Sequence, residues 1–442
     1  MKLLVPVSFQ RWFLFLLLPF FFQACAVQRQ MNKKIDHFFA HSELMRGHLT
    51  GFALASSEDG RILYGKNADQ YFVPASNTKL FTFYTAWKML PDSLPAMKYI
   101  ISGDSLIFWG TGDPSLLQGK LKARGALDFL KSSNKTLYFA AGRYTGSVYG
   151  EGWSWDDYND YYQAEITELP VSDNMISLQA VSGKLELSPG LFRTDLFTDS
   201  TFKPAEFIVR RDWKANRFQA PRQQVPAGYQ QQIPYQTSSS LTVNLLSDML
   251  QKPVSLVIKK LPDQAAVIFQ SRKEDVLREM MLPSDNFIAE HLLLLCADSF
   301  QAELNGKDAI AHALSHELAG LPDKPKWVDG SGLSRMNLFT PRDVIKVLHL
   351  IDSAVADRDK LYSMLPSGGK TGTLKNAYPA TDEPFVYGKT GTLSGVYNQS
   401  GFVKTKTGKT YLFSFMNNNF TGSAVEVRKE LVRLMSYIHD HY

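Results

Sequence analysis

The chain has 442 residues, with 48 Lys and Arg against 43 Asp and Glu for a formal net charge of +5. That length exceeds one ordinary domain, and the composition is that of a globular protein with enough apolar residues for a sizeable core. The charge is dispersed, with no basic run and no aromatic–basic stripe, which argues against a nucleic-acid partner.

At the N-terminus, Lys2 and Arg11 precede the apolar run WFLFLLLPFFF. It is too short to span a bilayer and reads as an export signal over residues 1–26. Cleavage is expected around Ala24-Cys25-Ala26, and lipidation of Cys25 is the alternative, so any membrane attachment would run through that anchor. The second cysteine, Cys296, sits in an apolar stretch and reads as a core residue, which leaves no intrachain disulfide framework.

MNKKIDHFFAHSEL follows as a short amphipathic helix, with Ile35, Phe38 and Phe39 on one side. GFALASSEDGRILYGKN reads as a hairpin. A helix is expected from about Ser76, since Leu80, Phe83, Tyr84 and Trp87 recur at helical spacing. Between residues 92 and 272 the pattern changes to short strand-like runs (YIISGDSLIFWG, KTLYFAAG, KLELSPG, EFIVRRDW) separated by turns. The Gln/Pro-rich stretch RFQAPRQQVPAGYQQQIPYQ reads as an exposed connection, and GTGDPSL as a simple turn. Longer helices then return in NFIAEHLLLLCADSF and in TPRDVIKVLHLID, the latter with Thr340 as cap and Pro341 in the first turn. GFVKTKTGKTYLFSF is a hairpin. The last helix has Ser423 and Glu426 as a capping box and Val427, Leu431, Leu434 and Ile438 as its apolar stripe. The expected architecture is α/β (α+β): residues 27–91 and 273–442 form one domain, split by one or more β-rich modules over 92–272.

Three short motifs each occur more than once. Ser-x-x-Lys recurs along the chain, among other places at Ser76/Lys79, Ser132/Lys135 and Ser367/Lys370. A serine that attacks a carbonyl needs a base in reach, and positions i and i+3 share one face of a helix. Only Ser76 falls at an expected helix start, where free backbone N–H groups can also stabilise an oxyanion; a plain helix cap is the bland alternative. Ser-Asp-Asn occurs at 172–174 in the β-rich stretch and at 284–286, where it opens a long apolar helix. Rigid placement favours Ser284 and Asn286. Lys-Thr-Gly occurs three times. Lys406 sits at a hairpin tip and Lys370 follows Pro366 and two glycines, whereas Lys389-Thr390-Gly391 has strand-like flanks. A sheet-edge strand can pair with an extended peptide, so Lys389 is the favoured copy.

Ser76-x-x-Lys79, Ser284-Asp285-Asn286 and Lys389-Thr390-Gly391, in that order, reproduce the motif set of penicillin-binding proteins and class A β-lactamases. More narrowly, the chain resembles the D-alanyl-D-alanine carboxypeptidase/endopeptidase family of low-molecular-mass class C penicillin-binding proteins. The similar stretches include VPASNTKLFT, YGEGWSWDDYNDYY, LPSDNFIAEHLL, VDGSGLSRMNLFTP and GKTGTLSGVYNQSGF; residues 180–235 follow the family pattern only loosely. In this family a GTLKN-type segment lies just upstream of the catalytic strand, which makes Lys370 the imitation and Lys389 the original.

The resemblance implies a transpeptidase-like domain with an antiparallel sheet flanked by helices, and a serine DD-peptidase acting on peptidoglycan stem peptides. β-Lactams would be its covalent inhibitors. Ser76 would be the nucleophile, Lys79 its base and Ser284 a proton relay. Asn286 and Lys389, with Thr390, Gly391 and Thr392, would bind substrate. No cofactor or metal is expected, and His312 and His316 lack the glutamate arrangement of a metalloprotease. Asp156, Asp157 and Arg335 could meet the substrate, although solvated loop acids are the plainer reading of the two aspartates. A β-lactamase-like hydrolase and a non-catalytic peptidoglycan-binding protein are the rival readings. The first would need a dedicated deacylation base, for which no Glu-x-x-x-Asn-type segment stands out.

Overall fold

The computed structural model describes residues 28–442 apart from 117 and 122, so the expected export signal and Cys25 lie outside the described residues. Residues 28–41 form the expected helix, with Ile35 and Phe39 buried. The chain then enters an antiparallel five-stranded sheet in the order Val386–Leu393, Val396–Lys404, Thr410–Asn418, Leu49–Ser56, Ile62–Lys66. Strand alternation divides its side chains between two apolar layers. Phe52 and Leu54 face the terminal helices, where Val427, Leu431, Leu434 and Ile438 form the stripe read from the sequence. Ala53 and Ala55 face a second layer built on the helices Lys79–Met89, Asn286–Asp298 and Pro341–Val355. Thr340 caps the last of these, its hydroxyl accepting the Asp343 N–H.

A second five-stranded sheet carries the chain between residues 93 and 272. Its order is Val254–Val257, Thr136–Ala140, Ser105–Gly110, Ser93–Ser102, Ala266–Arg272, with two parallel pairs around Thr136–Ala140. Its first and last strands pair with each other, Ser93 opposite Arg272, so the chain leaves this region where it entered. Two three-stranded sheets complete the region and share one core that includes Phe139, Ile176, Phe218 and Ile233. This core is tied to the helix Asn286–Asp298 by the buried Asp298 carboxylate, which holds Lys98 at 2.7 Å and Arg143 at 2.5 Å. Pairing of this kind compensates the desolvation of three charges, and losing one partner would leave a charge unmatched.

Four local expectations need correction. The Gln/Pro-rich stretch is not merely an exposed connection: it contains the strands Phe218–Pro221 and Gln230–Pro234. Phe218 and Ile233 are buried, and the neighbouring glutamines hide that alternation. Within EFIVRRDW only Arg210–Arg211 is strand, since its backbone pairs only with Phe218 and Gln219; the Arg211 side chain is buried and donates to the Pro234 carbonyl. GTGDPSL does make a turn, at Pro114-Ser115, but not a simple one, since the whole segment is buried. The Asp113 carboxylate accepts bonds from Ser115 and Gln270, and Gly112 (φ +84) packs against Leu294. Ser423 does cap the last helix, but the Glu426 carboxylate bonds Lys429 instead of closing a capping box.

Candidate active site

The chain reaches Ser76 through a tight 3₁₀ turn, Ala75–Thr78, that runs directly into the helix Lys79–Met89. Ala75 has φ +46, a conformation that costs a non-glycine residue free energy and is held here by its surroundings. The Thr78 hydroxyl donates to the Ala75 carbonyl at 2.9 Å. Gly332 (φ +80) lies against that same carbonyl so closely that a Cβ would overlap it. Gly391 approaches from the sheet edge, where a Cβ would fall 2.7 Å from the Pro74 carbonyl and 2.9 Å from the Ser76 nitrogen. Both glycines are therefore required by close backbone approach.

Lys79 is fully buried, and its Nζ has three neighbours: Ser76 Oγ at 3.0 Å, Asn286 Oδ1 at 2.6 Å and the Ser331 carbonyl at 2.7 Å. Burial brings its pKa down to about 8, against the opposing pull of Glu290, Asp329 and Asp285. Lys389 is also fully buried. Burial and the charge of Lys79 hold it well below the usual lysine range, and its Nζ donates to the Thr390 carbonyl at 2.7 Å. The helix opened by Asn286 is capped by Asp285, whose carboxylate accepts the Ile288 N–H. Asn286 thus presents Oδ1 to Lys79 while Nδ2 donates to the Tyr162 carbonyl at 3.0 Å. Ser284, at φ +68, precedes it on the cleft wall.

These elements border a cleft of about 760 Å³, lined by Ser76, Ser284, Asn286 and Thr392 on one side. Lys389, Thr390 and Gly391 do not line this cavity: Lys389 lies buried beneath it and Gly391 abuts Ser76. The Thr390 hydroxyl donates to Thr373 at 2.7 Å. Asp157 and Arg335 reach the cleft, Asp156 does not, and Arg335 donates to the Ser394 carbonyl. The other motif copies are elsewhere. Lys135 pairs with Asp104, Lys370 donates to the Asp382 carbonyl and Lys406 pairs with Asp440. His312 and His316 stack on each other, and no group of metal-ligating side chains occurs among the described residues.

Several residues at the site escaped sequence reasoning. Glu290 accepts the N–H groups of Gly330 and Ser331 and so fixes the loop whose carbonyl meets Lys79. Burial raises its pKa to about 7. A lone acid inside FIAEHLLLL was the available signal, since an unpaired carboxyl is rarely buried there. Asp329 accepts N–H groups of Gly332 and Ser334 and the Trp153 indole, which joins this loop to the β-rich region. The Ser-Asp-Asn copy at 172–174 also reaches the site: Asp173 lines the same cleft. Its Oδ1 is buried without a hydrogen-bond partner, and burial, with Asp285 adding to it, lifts its pKa to about 8.

The chain is 24% identical to the D-alanyl-D-alanine carboxypeptidase DacB of Haemophilus influenzae, with 90% of this chain and 91% of that protein covered. It is 26% identical to a D-alanyl-D-alanine carboxypeptidase of Actinomadura sp., over 89% and 82%. The crystal structure of penicillin binding protein 4 (dacB) from Haemophilus influenzae has the same fold, with a TM-score of 0.71 at 23% identity, covering 92% of this chain and 99% of that one. The family model for the D-Ala-D-Ala carboxypeptidase 3 (S13) family matches residues 31–437, and this chain belongs to that family.

Proposed function

We propose that this serine DD-peptidase acts on peptidoglycan through an acyl-enzyme on Ser76, cleaving terminal D-Ala-D-Ala, D-Ala–diaminopimelate cross-links, or both. The observation that carries the site assignment is the buried Lys79 amine 3.0 Å from Ser76 Oγ. A lysine is a base only when neutral, and a pKa of about 8 makes a substantial neutral fraction available near neutral pH. The Ser76 hydroxyl then donates its proton to Nζ as Oγ bonds to the carbonyl carbon. The tetrahedral oxyanion is met by the backbone N–H groups of Ser76 and Thr392, each such donor being worth about 3–4 kcal/mol. As the C–N bond breaks, Ser284 passes a proton to the leaving amine. Water then attacks the ester, releasing the shortened peptide and restoring the Ser76 hydroxyl.

Asn286 holds Lys79 and, through Tyr162, the cleft's far wall. Thr392, the member of the edge strand Lys389-Thr390-Gly391-Thr392 that lines the cleft, receives the substrate backbone and terminal carboxylate, with Thr390 and Gly391 shaping the strand and the buried Lys389 amine behind it. Asp157 and Arg335 provide opposite charges for the stem peptide's own side chain. β-Lactams acylate Ser76 in the same geometry. Residues 1–26 direct export to the periplasm, with Cys25 as a lipid anchor if it is retained, and no described helix is long and apolar enough to cross a membrane. Residues 27–91 with 273–442 form the catalytic domain, and 92–272 the insertion that builds the far wall.

The test combines a fluorescent penicillin with defined muropeptides. The wild-type protein should form a long-lived adduct and release D-Ala or split cross-linked dimers, and Ser76→Ala should do neither. Labelling that persists in Ser76→Ala would exclude this nucleophile, and an adduct lost within seconds would favour the β-lactamase reading.

A further inference from the structure

The cleft is open toward the β-rich region. Tyr161 and Gln232, which line it, also line a second hollow of about 1300 Å³. Its floor is one face of the three-stranded sheet Gln230–Pro234, Met175–Val181, Lys184–Ser188. The register aligns the floor residues into two rows. Gln230 stands opposite Gln179, and Gln179 opposite Glu186; Gln232 stands opposite Ser177, and Ser177 opposite Ser188. All six are exposed, whereas the intervening Ile176, Leu178, Leu187 and Ile233 fill the core beneath.

We propose that this floor is a glycan-binding surface, holding the amino-sugar strand whose stem peptide enters the adjoining cleft; the proposal rests on the peptidoglycan reading above. Five of the six floor side chains are uncharged amides or hydroxyls. Side chains of this class both donate and accept hydrogen bonds, matching the hydroxyl and acetamido groups of such a polymer. Tyr161, 64% exposed where the two hollows meet, offers an aromatic face with a polar tip against which a sugar ring can lie. An extended peptide would instead pair with the backbone of a sheet edge, and this floor is a sheet face that presents side chains. A polyanion would call for a cationic lining, and the lining contains one arginine, Arg193.

The probe is a soluble chain of alternating N-acetylglucosamine and N-acetylmuramic acid, stripped of stem peptides and with the freed lactyl carboxyls capped as amides, so that it is uncharged as the strand is when its stem peptides are attached. The full chain should bind it, and Gln179→Ala with Gln230→Ala should weaken binding about tenfold, given the loss of two neutral hydrogen-bonding groups. Ser177→Trp, which fills the floor, should abolish it. Both variants should acylate with penicillin and release D-Ala from a short sugar-free peptide within about twofold of wild type. Their turnover of polymeric peptidoglycan should fall about tenfold. Failure of the wild-type chain to bind the stripped glycan, or equal binding by both variants, overturns the proposal. So does a sugar-free stem peptide whose binding Ser177→Trp abolishes, because the occupant is then peptide. Loss of D-Ala release by the wild-type chain would strike the peptidase reading instead, and the glycan-binding measurement stands apart from it.

Discussion

The two Ser-Asp-Asn segments are identical in sequence and both reach one cleft, yet they are built differently. At 284–286 the aspartate caps a rigid thirteen-residue helix, which leaves the asparagine free to hold Lys79. At 172–174 all three residues take positive φ, in a turn between strands. There the asparagine is consumed by the turn: its amide donates to the Glu165 carbonyl and Thr167, and its oxygen accepts from Val171 and Tyr235. The aspartate is turned into the cleft instead. What a tripeptide does is set by which of its polar groups the backbone leaves unspent.

The largest expected effect separates the two asparagines. Asn286→Ala should slow penicillin acylation about 100- to 1000-fold, because Lys79 and Tyr162 both lose a partner and the base is no longer aimed at Ser76. Asn174→Ala should cost about 2–3 kcal/mol of stability through four lost bonds, while acylation per folded molecule stays within about fivefold. Stopped-flow labelling alongside thermal melts reads both, and equal kinetic losses would end the distinction. A smaller contrast is expected for the serines: Ser284→Ala about 30- to 100-fold slower in acylation, Ser172→Ala within about twofold.

The pH profile sharpens the comparison further. Since Lys79 must be neutral to act as the proposed base, the acylation rate should climb with pH and level off above about 8. The Asn286 oxygen favours the ammonium form, so Asn286→Ala should shift the rise to lower pH, whereas Asn174→Ala should leave it in place. Measuring the acylation rate from pH 6 to 9.5 decides. The smallest effect concerns the aspartates. The pKa of Asp173 is raised on folding to about 8, so its contribution to stability is fully present below the unfolded value near 4 and is lost as pH rises toward 8. Asp173→Asn should therefore raise Tm by about 2 °C at pH 8 and leave it unchanged at pH 4. Burial pushes Asp285 up as well, against the Ile288 N–H it accepts, so Asp285→Asn, which keeps a good capping residue, should also raise Tm at pH 8 but by less than Asp173→Asn does.

Much of this fold is readable along the chain because hydrophobic period reports local structure. The apolar stripe of the last helix, the cap at Thr340 and the hairpins GFALASSEDGRILYGKN and GFVKTKTGKTYLFSF all follow from it. The Gln-rich strand escaped because an exposed polar face alternating with Ile233 lacks a strong apolar period. GTGDPSL escaped because its burial depends on Leu294 and Gln270, far away in sequence.

The sequence by itself determined the one-turn spacing of Ser76 and Lys79 and the order of the three motifs, since both are properties of a line. Only the tertiary structure decided that Glu290 and Asp329 would shape the loop over Lys79, and that Asp173 would share a cleft with Ser284. It also stripped Lys79 and Lys389 of solvent, and a shift in pKa requires that removal of water. Desolvation and convergence come from chain segments a hundred or more residues apart, so no local pattern encodes them.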